Sequence, residues 1–117
     1  MHLKNFSLYY SDSDLVQLAP AYDLVATRLL IPEADDREEM ALALNGKRAR
    51  LKRRDFDTFA GTLGLNDKQT ANAYARIASN IPSVLSFIEQ SFISDEKKEA
   101  FEDLINLRCE RLEVQAT

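Results

Sequence analysis

The sequence predicts an α+β fold that is mostly α: two short β-hairpins followed by a helical subdomain. Three observations carry that prediction. The first 52 residues alternate short aliphatic and aromatic runs with turn residues. An Asn45-Gly46 pair stands between two such runs. From residue 54 to 113 the apolar residues recur at helical spacing, punctuated by Gly64, Pro82 and Ser94. At 117 residues the chain is one domain or part of one, divided into a hairpin region at 1–52 and a helical region at 53–117.

The elements follow in order. Residues 5–10 and 15–18 are strand-like, and Ser11-Asp-Ser-Asp14 between them has the composition of a turn, so they form a first hairpin. Pro20 holds Ala19 extended. Asp23-Leu-Val-Ala-Thr27 is either the first turn of a short helix or the end of a strand. Residues 28–38, with Pro32 and an abundance of acids, form an exposed loop. Met40 to Leu44, the Asn45-Gly46 turn and Lys47 to Leu51 make a second hairpin with a type I′ turn.

Four helices come next. Phe56, Phe59, Ala60 and Leu63 share one face of the first, which Gly64 closes. Asn66 or Asp67 caps a second that groups Ala71, Tyr74, Ala75 and Ala78. Pro82 suits the first turn of a third, with Leu85, Ile88 and Phe92 inward. Ser94-Asp95-Glu96 opens the last, whose stripe is Phe101, Leu104, Ile105, Cys109 and Leu112. Short loops should fold these into a compact bundle.

Composition narrows the function. With 45% hydrophobic and 29% charged residues the chain is an ordinary globular protein. A net charge of -4 argues against a surface given over entirely to nucleic acid. Cys109 is the single cysteine and has no internal disulfide partner, and no Cys/His cluster suggests zinc, which points to a reducing, cytoplasmic setting. Neither a signal peptide nor an apolar run long enough to span a bilayer is evident. Cys109 itself reads as a small hydrophobe on a helix stripe. Tyr9, Tyr10 and Tyr22 read as core before pocket. Ser7, Ser11 and Ser13 have no nearby histidine with which to form a nucleophile triad.

Asn5 and Asp23 are the residues with chemistry to offer. Magnesium takes oxygen ligands, usually one or two from protein and the rest from phosphate and water. An amide oxygen and a carboxylate on either side of a hairpin meet that need. Spacing alone also allows a turn asparagine and a helix-capping aspartate.

The blocks His2-Leu-Lys-Asn5-Phe-Ser-Leu, Leu18-Ala-Pro-Ala-Tyr-Asp23-Leu-Val and Met40-Ala-Leu-Ala-Leu-Asn-Gly-Lys47 resemble the C-terminal part of HipA-like serine/threonine protein kinases, the toxins of bacterial toxin–antitoxin pairs. The resemblance implies part of a protein-kinase-like C-lobe. It also implies transfer of the ATP γ-phosphate to a protein Ser or Thr, with aminoacyl-tRNA synthetases among the substrates. The family's catalytic loop reads Asp-x-His-x-Lys-Asn, which His2, Lys4 and Asn5 match from the His onward. By resemblance Asn5 and Asp23 are magnesium ligands, His2 shapes the loop, and Lys4 lies near the transferred phosphate. The family's general-base Asp precedes the His by two positions, whereas this sequence begins one position before His2. The N-lobe with its ATP-binding lysine and phosphate-clamping loop is also not represented. The expectation is therefore a fragment, inactive and without bound Mg²⁺ or ATP by itself, because phosphoryl transfer depends on positioning all these parts together.

Lys47, Arg48, Arg50, Lys52, Arg53 and Arg54 place six of fifteen basic residues within eight positions. Such a run serves either as a solvated, charge-protected edge or as a grip on phosphate backbone. No aromatics interleave it, so base stacking is not expected. The resemblance implies docking on a DNA-bound helix-turn-helix antitoxin, which keeps a rival reading in view: a non-catalytic helical module that binds an antitoxin, the missing N-lobe, or DNA. Apolar surface left on residues 3–25 would favour self-association.

Overall fold

The structure, a computed structural model, describes residues 2–12 and 15–115. It divides into two compact units, 1–49 and 50–117. Among the described residues there are three α-helices and one two-stranded antiparallel sheet, the mostly helical α+β composition expected.

In the first unit, β1 (Leu8–Tyr10) pairs with β2 (Val16–Leu18) in the register Leu8 to Leu18, Tyr9 to Gln17 and Tyr10 to Val16. Tyr9 Oη donates to Gln17 Oε1 across the pair at 2.7 Å. Both faces of this hairpin are exposed, so Tyr9 and Tyr10 are surface residues rather than core. Ser13 and Asp14 of the expected turn lie outside the described residues. Leu3–Asn5 is a 3-10 turn preceding β1, and a second 3-10 turn covers Thr27–Leu29.

The second expected hairpin reduces to its turn. Asn45 and Gly46 both take positive φ, 51° and 72°, as a type I′ turn requires. Leu44 and Lys47 exchange backbone hydrogen bonds of 2.8 and 3.0 Å. There the ladder stops. The Arg48 carbonyl accepts from the amides of both Glu39 and Met40, and Arg50 turns at φ 53°, so the flanking chains leave extended register. Alternating Ala and Leu, of modest strand preference, do not hold them together.

In the second unit, α1 spans Arg53–Thr62, α2 Asp67–Glu89 and α3 Asp95–Leu112. Asp55 is fully buried, and its Oδ2 accepts the Lys52 N–H at 2.9 Å, placing a carboxylate at the positive end of α1. Gly64, at φ 75°, ends that helix: Gly64 N–H bonds the Gly61 carbonyl and Leu65 N–H reaches back to Ala60. Asn66 and Gln69 then cap α2 reciprocally, each side chain accepting the other's backbone N–H at 2.9 Å.

Four helices were expected and three form, because α2 continues through Pro82. Its buried or half-buried seam, Tyr74, Ala78, Ile81, Leu85 and Ile88, keeps an alternating four- and three-residue spacing across the proline. Burial on both sides thus outweighs the lost N–H. Ala75 falls off that seam, and both Ala71 and Ala75 are exposed. Phe92, expected inward, is fully exposed in the connection after α2. Of the expected α3 stripe, Ile105, Cys109 and Leu112 pack against the buried cluster of Ala78, Ile81 and Val114, while half-buried Phe101 and Leu104 line an apolar groove between α2 and α3. Glu113 takes the left-handed position normally filled by glycine, φ 53°, and lets Val114 N–H bond the Cys109 carbonyl. No described helix is long and apolar enough to cross a membrane.

Candidate functional site

The residues with most chemical potential gather in the first unit. Asn5 closes the 3-10 turn before β1 and is buried; Asp23 follows β2 on exposed chain. Neither sits within a strand, as the sequence had suggested, but the hairpin brings their flanks together. Asn5 Nδ2 donates to Asp23 Oδ2 at 2.8 Å across eighteen residues. Asp23 holds a left-handed backbone, φ 54°, which Asp tolerates better than most residues.

Tyr22 braces this arrangement. Its hydroxyl lies 2.6 Å from Ser7 Oγ and donates to the Lys4 carbonyl at 3.1 Å. The residue next to Asp23 is thereby tied to the turn that carries Asn5. Tyr22 read as core, but it is exposed and takes this positioning role instead.

A cavity of about 680 Å³ opens beside the pair. His2, Asn5, Asp23 and Thr27 line one part of it, and Asp36, Glu38 and Glu39 another. Lys4 is exposed and is not among the lining residues. The structure thus assembles three of the four residues expected at the site.

The acidic wall was not anticipated, since residues 28–38 read only as an exposed loop. Arg28 explains its order: the guanidinium donates to the carbonyls of Asp36 and Glu38. Asp36 Oδ1 also accepts the Glu38 N–H at 2.9 Å. An arginine opening an acid-rich loop was the available signal.

The donor set suits a hard cation. Rotating the Asn5 amide about its terminal bond exchanges nitrogen for oxygen, which would turn Oδ1 toward the Asp23 carboxylate. Two oxygens from protein, with water and phosphate completing the shell, are what Mg²⁺ commonly accepts. Among the described residues no three His, Cys, Asp or Glu side chains converge to form a cage made by protein alone.

The basic run is not one uniform surface. In the first unit, Lys47 is half-buried and Arg48 pairs with Glu38 at 3.2 Å. In the second, Arg53 lies 4.1 Å over the Tyr74 ring, and its Nη1 donates to the Leu112 and Glu113 carbonyls at 3.2 Å. Arg50, Lys52 and Arg54 are exposed.

The family model described as HipA-like C-terminal domain matches residues 1–85, which include every member of the cavity wall. No curated protein matches the sequence. With most of its length matched by that model, the chain belongs to the HipA-like C-terminal domain family.

Proposed function

We propose that this chain provides the divalent-cation end of a HipA-type serine/threonine protein kinase site. One observation carries the reading: Asn5 and Asp23, distant in sequence, meet at 2.8 Å on the wall of a cavity large enough for a phosphate group and its ion. Asn5 Oδ1 and the Asp23 carboxylate would hold Mg²⁺. Bound there, the ion would offset the charge of ATP phosphates.

The chain's own groups do the positioning. Burial fixes Asn5, and the Tyr22 hydroxyl holds the backbone of the loop in place. His2 lines the same cavity. Lys4, which the cavity lining does not include, would need to swing toward the phosphate to act on it. The carboxylates of Asp36, Glu38 and Glu39 add negative potential that draws a cation in and disfavours unaccompanied phosphate.

The expected behaviour of the site is cation binding through Asn5 and Asp23. The exposed apolar side chains of Leu8, Tyr10, Val16 and Leu18 fit the same reading, as a surface that another protein segment covers.

Mn²⁺ titration followed by electron paramagnetic resonance tests the site. Wild type should bind one ion, and Asp23→Ala should weaken binding by at least about tenfold, with Asn5→Ala weaker by a smaller factor. Equal Mn²⁺ binding by wild type and Asp23→Ala would refute the assignment.

A further inference from the structure

The second unit carries an apolar groove that the cation site does not involve. It encloses about 750 Å³ between α2 and α3. Ile77 and Val84 from α2 and Phe101 and Leu104 from α3 line it, with Arg76 and Arg108 bringing positive charge to the same walls. Ile77 and Val84 are each almost half exposed, so the groove is open to a macromolecular occupant.

The same helical pair also presents a matching plug. Phe92, in the connection between α2 and α3, is 107% exposed relative to a free residue and so makes no appreciable contact with its own fold. Asp95 and Glu96 follow it in the first turn of α3, and the Asp95 side chain is fully exposed apart from a 3.4 Å pairing with Lys98. An aromatic anchor beside two carboxylates complements an apolar groove bearing two guanidinium groups.

We infer that the occupant of the α2–α3 groove is the Phe92 loop of a second copy of this chain. Plug and groove lie on one helical pair, so a two-fold, antiparallel pairing seats each loop in the other's groove in a single operation. Such a contact is isologous and closes at a dimer instead of running on into a filament. Phe92 enters between Ile77, Val84 and Phe101, where ring-to-ring contact adds to burial. Asp95 and Glu96 meet Arg76 and Arg108.

Sedimentation equilibrium of the full chain over a range of concentrations tests this. The expected result is a monomer–dimer equilibrium. Phe92→Asp should reduce the association constant by at least about tenfold, as loss of a central aromatic anchor does. At concentrations where both are monomers, its thermal unfolding by circular dichroism should match wild type, since Phe92 contributes nothing to the isolated fold. Arg76→Glu should weaken the dimer, and Arg76→Glu combined with Asp95→Arg should recover it. A monomer at every concentration overturns the inference. So does a dimer that Phe92→Asp leaves intact, which would place the contact elsewhere, such as the exposed hairpin of the first unit. Failure of the charge exchange to recover association overturns the proposed register. None of these outcomes depends on the cation site.

Discussion

Arg53 stacks its guanidinium 4.1 Å over the ring of Tyr74 while donating to the last carbonyls of α3 at Leu112 and Glu113. One side chain thus joins the start of α1, the middle of α2 and the end of α3. The carbonyls it satisfies belong to a helix C-terminus, where orphan acceptors and the negative end of the dipole both favour a cation. Hydrogen bonds from a charged donor stabilise by about 1.5–3 kcal/mol, and a partly exposed cation–π contact adds roughly 0.5–1 kcal/mol.

Arg53→Ala is therefore expected to destabilise the second unit by about 2–3 kcal/mol. Arg53→Lys should recover only part of this, because an ammonium cannot both lie flat on the ring and fork to two carbonyls. Urea unfolding of the two variants checks the order. Equal stability of Arg53→Lys and wild type would show that charge alone suffices.

The residue that unites the helices was legible in the sequence only as one member of a basic run. Charge clustering predicts a surface, and nothing in local pattern reveals that the fifth cation turns inward toward a helix end some sixty residues away. Local signals fared better. The Asn45-Gly46 turn, the Gly64 stop and the Asn66 cap each depend on the chemistry of one or two residues, and each formed where expected. The second hairpin failed beyond its turn because strand pairing needs partners on both flanks, and the Arg48 carbonyl had already been taken by Glu39 and Met40. At the cavity, Asn5 and Asp23 were legible through family resemblance. The acidic wall was not, since its order depends on Arg28 bonding to backbone carbonyls.

Pro82 shows tertiary burial overriding a local rule. In isolation a proline marks a helix start, yet here it lies well inside α2 between buried Ile81 and half-buried Leu85. It supplies no N–H to the Ala78 carbonyl and crowds it, a combination that costs about 3 kcal/mol in an unperturbed helix. Pro82→Ala, at an exposed position, should restore the hydrogen bond and stabilise the second unit by about 1–3 kcal/mol. Thermal melting should show a higher midpoint. A lower one would mean that the proline fixes a bend on which the α2–α3 seam relies.

Tyr74 gives the second unit an alkaline limit. Its hydroxyl donates to Asp57 Oδ1 at 2.8 Å. Desolvation, then the hydrogen bond to Asp57 and the charge of that carboxylate, raise its pKa from 10.0 to about 12, with Arg53 opposing them. Losing the phenolic proton would leave two anions facing each other. The folded value lies above the unfolded one, so the folded chain binds this proton more tightly between the two. The resulting stabilisation is complete below about pH 10 and is lost as pH rises through about 12. Spectrophotometric titration of phenolate absorbance should resolve a late step that Tyr74→Phe removes and Asp57→Asn moves to lower pH. In alkaline melts, the wild-type loss of stability across that window should be reduced in Tyr74→Phe. An unchanged late step in Asp57→Asn would show that burial alone sets the value.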